Sequence, residues 1–281
     1  MAAGQSGKKT GAIIQARMQS ARLPGKIILP IPPINGKPLL QSIIDSLKES
    51  LYIDEIILAT STHSENDVLE NIASVNNIRL IRGSESDVLS RFVSAIKKFE
   101  LQTIVRVTAD NPILDPRLLD KLLLYHNAEN NDYTHSSNLP LGMNLEIVGA
   151  DVLKEISVSP DLTKEDREHV TFSIGSSKEY KSGMIPLWPE SLTDKIRLTV
   201  DYPVDYALIC LLFNISLAKG IRGMELVNWV DNNQPWIWEI NNQSYQKKQY
   251  ASFNEELDIA VKMLNDADLL KAAKLLQDKR I

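Results

Sequence analysis

The chain has 281 residues, 43% of them hydrophobic and 24% charged, with a formal net charge of −5 and one cysteine. That balance is ordinary for a globular chain and excludes disorder, collagen-like repeats and coiled coil as descriptions of the whole. The mild acidity speaks against broad nucleic-acid binding but says nothing about small anions, for which local charge decides.

Strand-like and helix-like segments alternate over the first ~130 residues, the pattern of βαβ units and a mostly parallel sheet. Gly11–Ala16 reads as a buried strand, followed by a helix in Pro38–Leu51 with Leu39, Leu40, Ile43, Ile44 and Leu47 at helical spacing. Glu55–Thr60 is the second strand, Glu65–Ser74 a helix, Ile78–Ile81 a short strand and Asp87–Phe99 a helix. Thr103–Val107 is a strand, and Pro116 opens a helix through His126 at the first-turn position that proline tolerates. Tyr133–Ser136, Leu145–Val148, Gly183–Leu187 and Lys195–Val200 are strand candidates, with a helix expected over Glu165–Ser177. Pro203–Ala218 is a helix, Asp231–Tyr250 a polar, Trp-containing linker or docking segment, and Glu255–Lys279 a long amphipathic helix. The longest apolar run near the lone Cys210 is Ala207–Phe213, far short of the ~20 residues of a membrane span. The start, MAAGQSGKKTG, has no following apolar region of signal-peptide length, and the unpaired cysteine points to a reducing, cytoplasmic setting.

In open α/β sheets ligands bind beyond the carboxyl ends of strands. After the first strand stand Arg17, Ser20, Arg22, Pro24, Gly25 and Lys26; after the second, Thr60 and Ser61; after the third, Arg82 and Gly83. The fourth strand is followed by Asp110, Asn111 and Pro112, and the late segment Arg197–Val200 runs into Asp201. Phosphate oxygens need backbone N–H groups, Arg forks and Lys ammonium, while Mg²⁺ needs one or two carboxylates with phosphate and water in its other positions. Each loop has a plainer reading, since Arg and Lys are mostly solvated surface charge and strand-end Asp is often a turn former or helix cap. Their joint placement favours a magnesium–nucleotide site.

The segment Ile13–Leu29, IIQARMQSARLPGKIIL, is followed in order by LATSTHSEND (Leu58–Asp67), RGSESDVLSRF (Arg82–Phe92), RVTADNPILDP (Arg106–Pro116), REHVTFSI (Arg167–Ile174) and RLTVDYPVDY (Arg197–Tyr206). In these blocks the chain resembles the sugar nucleotidyltransferases of the CMP-Kdo and CMP-sialic acid synthetase superfamily, above all the cytidylyltransferase-like spore-coat polysaccharide branch. The resemblance covers residues 11–230 and implies one catalytic domain there, with 231–281 as linker and C-terminal helix for docking or dimerisation. It implies an α/β, Rossmann-like three-layer nucleotide-diphospho-sugar transferase fold, with a mostly parallel sheet, a small β insertion and a helical tail.

By the same resemblance, Arg17, Ser20, Arg22 and Lys26 would hold the CTP triphosphate, with Arg17 and Lys26 offsetting charge on the leaving pyrophosphate. Thr60, Arg82 and Arg91 would surround the nucleotide, Asp110 and Asp201 would hold Mg²⁺, and Asn144 and Glu146 would contact the sugar. Arg17, Lys26 and Asp110 form the expected catalytic set. The implied reaction is transfer of CMP from CTP to an acidic sugar of nonulosonic type, and the tail implies a homodimer. Departures are Ala109 where the family usually has glycine, Tyr202 for a common threonine and Val204 for a common glutamate. Tyr202 would narrow the pocket.

Other motifs fall away. Gly4–Thr10 places only two residues between its glycines and precedes the first strand, unlike a phosphate loop. No G-x-G-x-x-G occurs, His63, His126, His135 and His169 lack metal spacing, and Cys210 reads as a small core residue. His169 is either a cap contact or a substrate contact, and the tryptophans are packing anchors. The alternatives are a nucleotidyltransferase using another NTP with a sugar phosphate, or a non-catalytic sugar-nucleotide-binding subunit. A glycosyltransferase would need a D-x-D pair, which Asp132 and Asp151 lack.

Overall fold

Apolar side chains on both faces of a strand require cover on both sides of the sheet. The computed structural model, which describes residues 8–193, 195–242 and 253–277, supplies it. In chain order come β1 (Thr10–Gln15), a ribbon of β2 (Pro30–Ile31) and β3 (Lys37–Pro38), α1 (Leu39–Lys48) and β4 (Glu55–Ser61). Then follow α2 (Val68–Asn76), β5 (Arg79–Gly83), α3 (Val88–Phe99), β6 (Thr103–Thr108) and α4 (Pro116–Glu129). The later part comprises β7 (Tyr133–Ser137), β8 (Glu146–Gly149), α5 (Ala150–Ile156), α6 (Lys164–His169), β9 (Ser182–Pro186), α7 (Pro203–Lys219) and α8 (Gly223–Asn233).

Seven strands form one sheet in the order β5-β4-β1-β6-β8-β7-β9. Only β8 runs antiparallel to its neighbours; the remaining pairs are parallel. Alternation along β1 sends Ala12 and Ile14 to the layer of α1, α4, α7 and α8, and Ile13 to the layer of α3 and α5. The α1 stripe Leu39, Leu40, Ile43, Ile44 and Leu47 is buried throughout, each side chain stabilising the fold by ~1.5–3 kcal/mol relative to exposure. This is the expected three-layer Rossmann-like α/β fold. The chain leaves β1 toward β4 on one side, while β6 lies on the other, so the loops after β1 and β6 diverge and open a crevice between them.

The structure departs from the sequence reading in four places. The expected strand Lys195–Val200 makes one isolated bridge, Leu141 with Arg197, because its partner is a turn. Gly142, at φ +97, is the hinge of that turn: a Cβ there would lie 2.4 Å from Thr199 N. The helix expected over Glu165–Ser177 stops at His169, where Val170 adopts φ +64, and resumes as a 3-10 turn at Ile174–Ser176. Asp231–Tyr250, expected as a linker, completes α8 and then forms a 3-10 turn, Pro235–Ile240, whose Ile237 and Trp238 enter the main core; 243–250 lie outside the described residues. The first compact unit is Met1–Gln243.

The second unit, Ser244–Ile281, contains α9 (Phe253–Asp266) and α10 (Leu270–Gln277) rather than one helix to Lys279, which itself lies outside the described residues. Asp268 at φ +58 marks the break. Among the described residues, no single helix is long and apolar enough to cross a membrane.

Candidate active site

The loop leaving β1 is shaped before it is charged. Gly25 N donates to Met18 O at 3.0 Å and Gly25 takes φ +69, a backbone that glycine adopts without steric cost. The next residue, Lys26, starts a 3-10 turn and is buried. Its Nζ donates to Asp110 Oδ2 at 2.9 Å, Asp201 Oδ1 at 3.1 Å and Val200 O at 2.6 Å, which uses all three ammonium donors. Val200 N donates to Asp110 O at 2.9 Å, so the two carboxylate-bearing segments are joined by main chain as well.

Arg22 approaches the same carboxylate from the open side. Its Nη2 lies 2.9 Å from Asp201 Oδ1, its guanidinium sits 4.8 Å from the Tyr202 ring centroid, and Nη1 donates to Tyr202 Oη at 3.3 Å. Behind the cluster, Arg197 Nη2 donates to Asp201 Oδ2 at 3.1 Å and Asp205 Oδ2 at 3.0 Å, while Nε donates to Asp205 Oδ1 at 3.2 Å. Burial alone would raise the Asp205 carboxyl, but Arg197, Asn241 and the backbone amides of Tyr202 and Asp201 hold it below the usual carboxylate range.

A second group gathers where β1, β4 and β5 end. Gln15 pairs in register with Ala59, and Thr60 with Arg82. Arg91 is buried on α3, with Nη1 donating to Ala59 O at 3.2 Å; burial, with the Arg17 charge adding to it, pulls its guanidinium below the ordinary arginine value. Arg17 is exposed and lies 3.5 Å from Glu85. Gln15 Oε1, Thr60 Oγ1 and Arg91 Nε are sealed from solvent without hydrogen-bond partners. By alternation Gln15 lies on the α3 face with Ile13 and so with Arg91, whereas Thr60 lies on the other face with Leu58; buried polar atoms without partners are rare.

Two expected nucleotide residues serve the scaffold. Ser20 Oγ accepts from Leu23 N at 3.4 Å, within the loop itself. Arg82 spends its donors on Ser61 O, His63 O, Asp67 and Glu70, bracing the segment after β4. The two expected sugar residues line a separate cavity of about 100 Å³ with Arg106, Thr108 and Asn111. Asn144 is exposed there and its Oδ1 accepts from Gly142 N at 3.3 Å. Glu146 is already engaged: Oε1 accepts from Tyr133 Oη at 3.0 Å, and Oε2 from Arg106 Nη1 at 2.7 Å and Thr171 Oγ1 at 2.9 Å. His169 ends α6 exposed, its ring tilted against Phe172 at 6.2 Å.

Sequence reading missed Gln15, Arg106, Asn111 and Arg197 as site residues. Gln15 and Asn111 stand at strand ends and were open to the same reasoning that selected Thr60 and Asp110. Arg197 was not, because its i+4 and i+8 partners meet it through a bent segment rather than along a helix.

A family model described as Cytidylyltransferase matches residues 11–194. The chain is 34% identical over 227 residues to the spore coat polysaccharide biosynthesis protein SpsF of Bacillus subtilis, a match covering 79% of this chain and 93% of that protein. It is 28% identical over 109 residues to a 3-deoxy-manno-octulosonate cytidylyltransferase of Syntrophotalea carbinolica, covering 39% of this chain and 42% of that one. The solved structure of a cytidylyltransferase from Leptospira borgpetersenii superimposes with a TM-score of 0.74 at 28% identity, covering 86% of this chain and 100% of that one. With a family match across most of its sheet and a lysine–carboxylate cluster at the switch point, the chain belongs to the cytidylyltransferase family.

Proposed function

We propose that the protein transfers CMP from CTP to an acidic sugar of nonulosonic type, releasing pyrophosphate, as a step in surface polysaccharide or glycan biosynthesis. The observation that carries this reading is the convergence of Lys26, Arg22, Asp110 and Asp201 beside the crevice after β1 and β6. The relatives support it: SpsF belongs by name to polysaccharide biosynthesis, and the Syntrophotalea protein is named for a sugar acid.

The donor set fits Mg²⁺. Asp110 and Asp201 both meet Lys26 Nζ, and Asp201 also accepts from Arg22 and Arg197, so the two carboxylates stand together in a strongly cationic setting. Two protein oxygens plus substrate phosphate and water are the usual environment of this ion. Asp110 and Asp201 would hold it, and bound there it would draw charge from the phosphate oxygens. The remaining work is positioning and neutralisation. An acceptor hydroxyl attacks the α-phosphorus in line and gives up its proton to solvent, the bond from the α-phosphorus to the bridging oxygen breaks, and pyrophosphate leaves on that oxygen with CMP joined to the sugar. Lys26 and Arg22, both resting on Asp201, are placed to turn toward phosphate oxygens. Arg17, exposed and held among the described residues by Glu85 at 3.5 Å, is placed to do the same. Gln15 and Arg91, unpaired on the α3 face, and Thr60, unpaired on the other, stand at the strand ends nearest the nucleoside, while Arg82 supports the segment after β4.

Arg17→Ala is expected to weaken CTP binding about tenfold, the scale of one charge-assisted phosphate contact, with the melting temperature unchanged. Isothermal titration of CTP into wild type and variant measures this, and equal affinities would remove Arg17 from the triphosphate site. Thermal shifts with CTP, UTP, GTP, ATP and dTTP test the nucleotide: stabilisation by CTP above the others is expected, and a larger shift with another NTP would transfer the reading to that nucleotide.

A further inference from the structure

We infer that Arg106, held in place by Glu146, binds the carboxylate of the acceptor in the cavity between β6 and β8. The inference rests on the proposed transfer to a sugar acid and names the group that separates an acid from a neutral sugar.

Glu146 cannot be that group's direct partner, since a carboxylate repels a carboxylate and its two oxygens already accept from Tyr133, Arg106 and Thr171. Although burial alone would raise it, the Arg106 charge and these three donors hold the Glu146 carboxyl below the usual range, so it stays ionised and fixed. One of the donors is placed by strained backbone. Val170 stands at φ +64 and ψ −49, a three-residue turn closed by Thr171 N donating to His169 O at 2.6 Å. A β-branched residue rarely adopts that conformation, and such strain clusters where a side chain must be aimed. Here it aims the Thr171 hydroxyl at Glu146.

What Glu146 fixes is Arg106. Nη1 is spent on Glu146, Nε is sealed from solvent without a partner, and Nη2 donates to nothing among the described residues. Nε and Nη2 form one edge of the guanidinium, whose spacing matches the two oxygens of a carboxylate. Arg106 is the single cation among the residues lining the cavity. Asn111 also lines the cavity, and its Oδ1 is sealed and lacks a donor. The cavity is open on one side and large enough for a carboxylate and the carbon that bears it to enter. A donor fork beside a lone acceptor fits a carboxylate with a hydroxyl on the neighbouring carbon. Asn111 follows Asp110 directly, so that hydroxyl would lie next to the cluster proposed for the reaction. Arg106 is therefore a specificity-determining contact, and Glu146 a positioning residue.

The test uses the full chain with CTP, Mg²⁺ and a panel of 2-keto-3-deoxy sugar acids, 3-deoxy-manno-octulosonate among them, each paired with its C1 amide. Wild type is expected to prefer acid over amide by about tenfold or more in kcat/KM, the scale of a bidentate charged contact. Arg106→Lys keeps the ion pair with Glu146 but removes the fork. It should raise the acceptor KM about tenfold, leave the CTP KM within about twofold, and erase most of the acid preference. Glu146→Gln should raise the acceptor KM in the same way with the CTP KM unmoved, a split that general loss of structure would not produce. An unchanged acceptor KM and acid preference in Arg106→Lys would overturn the inference, as would a wild type indifferent to the amide, both with cytidylyl transfer intact. If no acceptor releases pyrophosphate from CTP, the functional reading fails separately. Calorimetry with the same acids and amides then decides the inference: acid-selective binding lost in Arg106→Lys supports it, and no such binding overturns it.

Discussion

Asp110→Ala is expected to lower turnover by about 10²-fold or more, the usual loss when one preorganised electrostatic group is removed from a phosphoryl-transfer site. Asp110 Oδ2 is one of three acceptors on Lys26 Nζ, and its main-chain oxygen receives Val200 N. The substitution removes the side-chain role and keeps the main-chain one, so the segment carrying Asp201 stays in place. Lys26 would then rest on Asp201 and Val200 O alone. The expected pattern is a fall in kcat with little change in melting temperature and a loss of metal dependence. Initial rates of pyrophosphate release at saturating CTP over a Mg²⁺ series measure it. Near-normal turnover with unchanged Mg²⁺ dependence would show that Asp110 holds no metal.

Asp205→Ala is the matching prediction for stability, a loss of about 3–5 kcal/mol, because it breaks a buried pair from one side. The Asp205 side chain is 1% exposed and accepts from Arg197, from Asn241 Nδ2 at 2.8 Å, and from the backbone amides of Asp201 at 2.9 Å and Tyr202 at 2.8 Å. Those bonds close the N-terminus of α7 and hold Arg197, which in turn holds Asp201. Without Asp205 the Arg197 guanidinium keeps, among the described residues, Asp201 alone as an ionic partner, and activity should fall along with stability.

The pH dependence follows from the depressed Asp205 carboxyl. A carboxylate whose folded value lies below its ordinary 3.8 contributes stability that is fully present above that value. The contribution is lost as pH falls from about 4 through the lower folded value, because the native state must then bind the proton against Arg197. Urea melts of the full chain between pH 7 and 3 should therefore show a wild-type decline below pH ~4 that is smaller in Asp205→Ala. Parallel profiles would contradict the assignment.

The parallel half of the fold was readable because its signals are local. The α1 stripe, the Asp115 and Pro116 start of α4, and the apolar runs of β1, β4 and β6 each declare their own element. The later half depends on partners distant in sequence. Val170 carries no mark that it will end α6 at positive φ, and nothing in Trp238 itself says whether it meets solvent or core. The same division runs through the site. Lys26, Asp110 and Asp201 were legible as charged residues after strands, and the structure joins all three through one ammonium. That Glu146 is saturated, that Arg82 is a brace and that Arg106 keeps an edge without partners among the described residues are facts of hydrogen-bond accounting, which requires coordinates.

If the lysine–carboxylate cluster serves cytidylyl transfer to a sugar acid, the chain turns over CTP with such an acid. The most direct test is release of pyrophosphate from CTP by the purified full chain, with Mg²⁺, across nonulosonic and other 2-keto-3-deoxy sugar acids set beside neutral sugars and sugar 1-phosphates. The expected result is Mg²⁺-dependent pyrophosphate with CTP and at least one sugar acid, matched mole for mole by a CMP-sugar. Turnover only with another nucleotide, or only with a sugar phosphate, would contradict it.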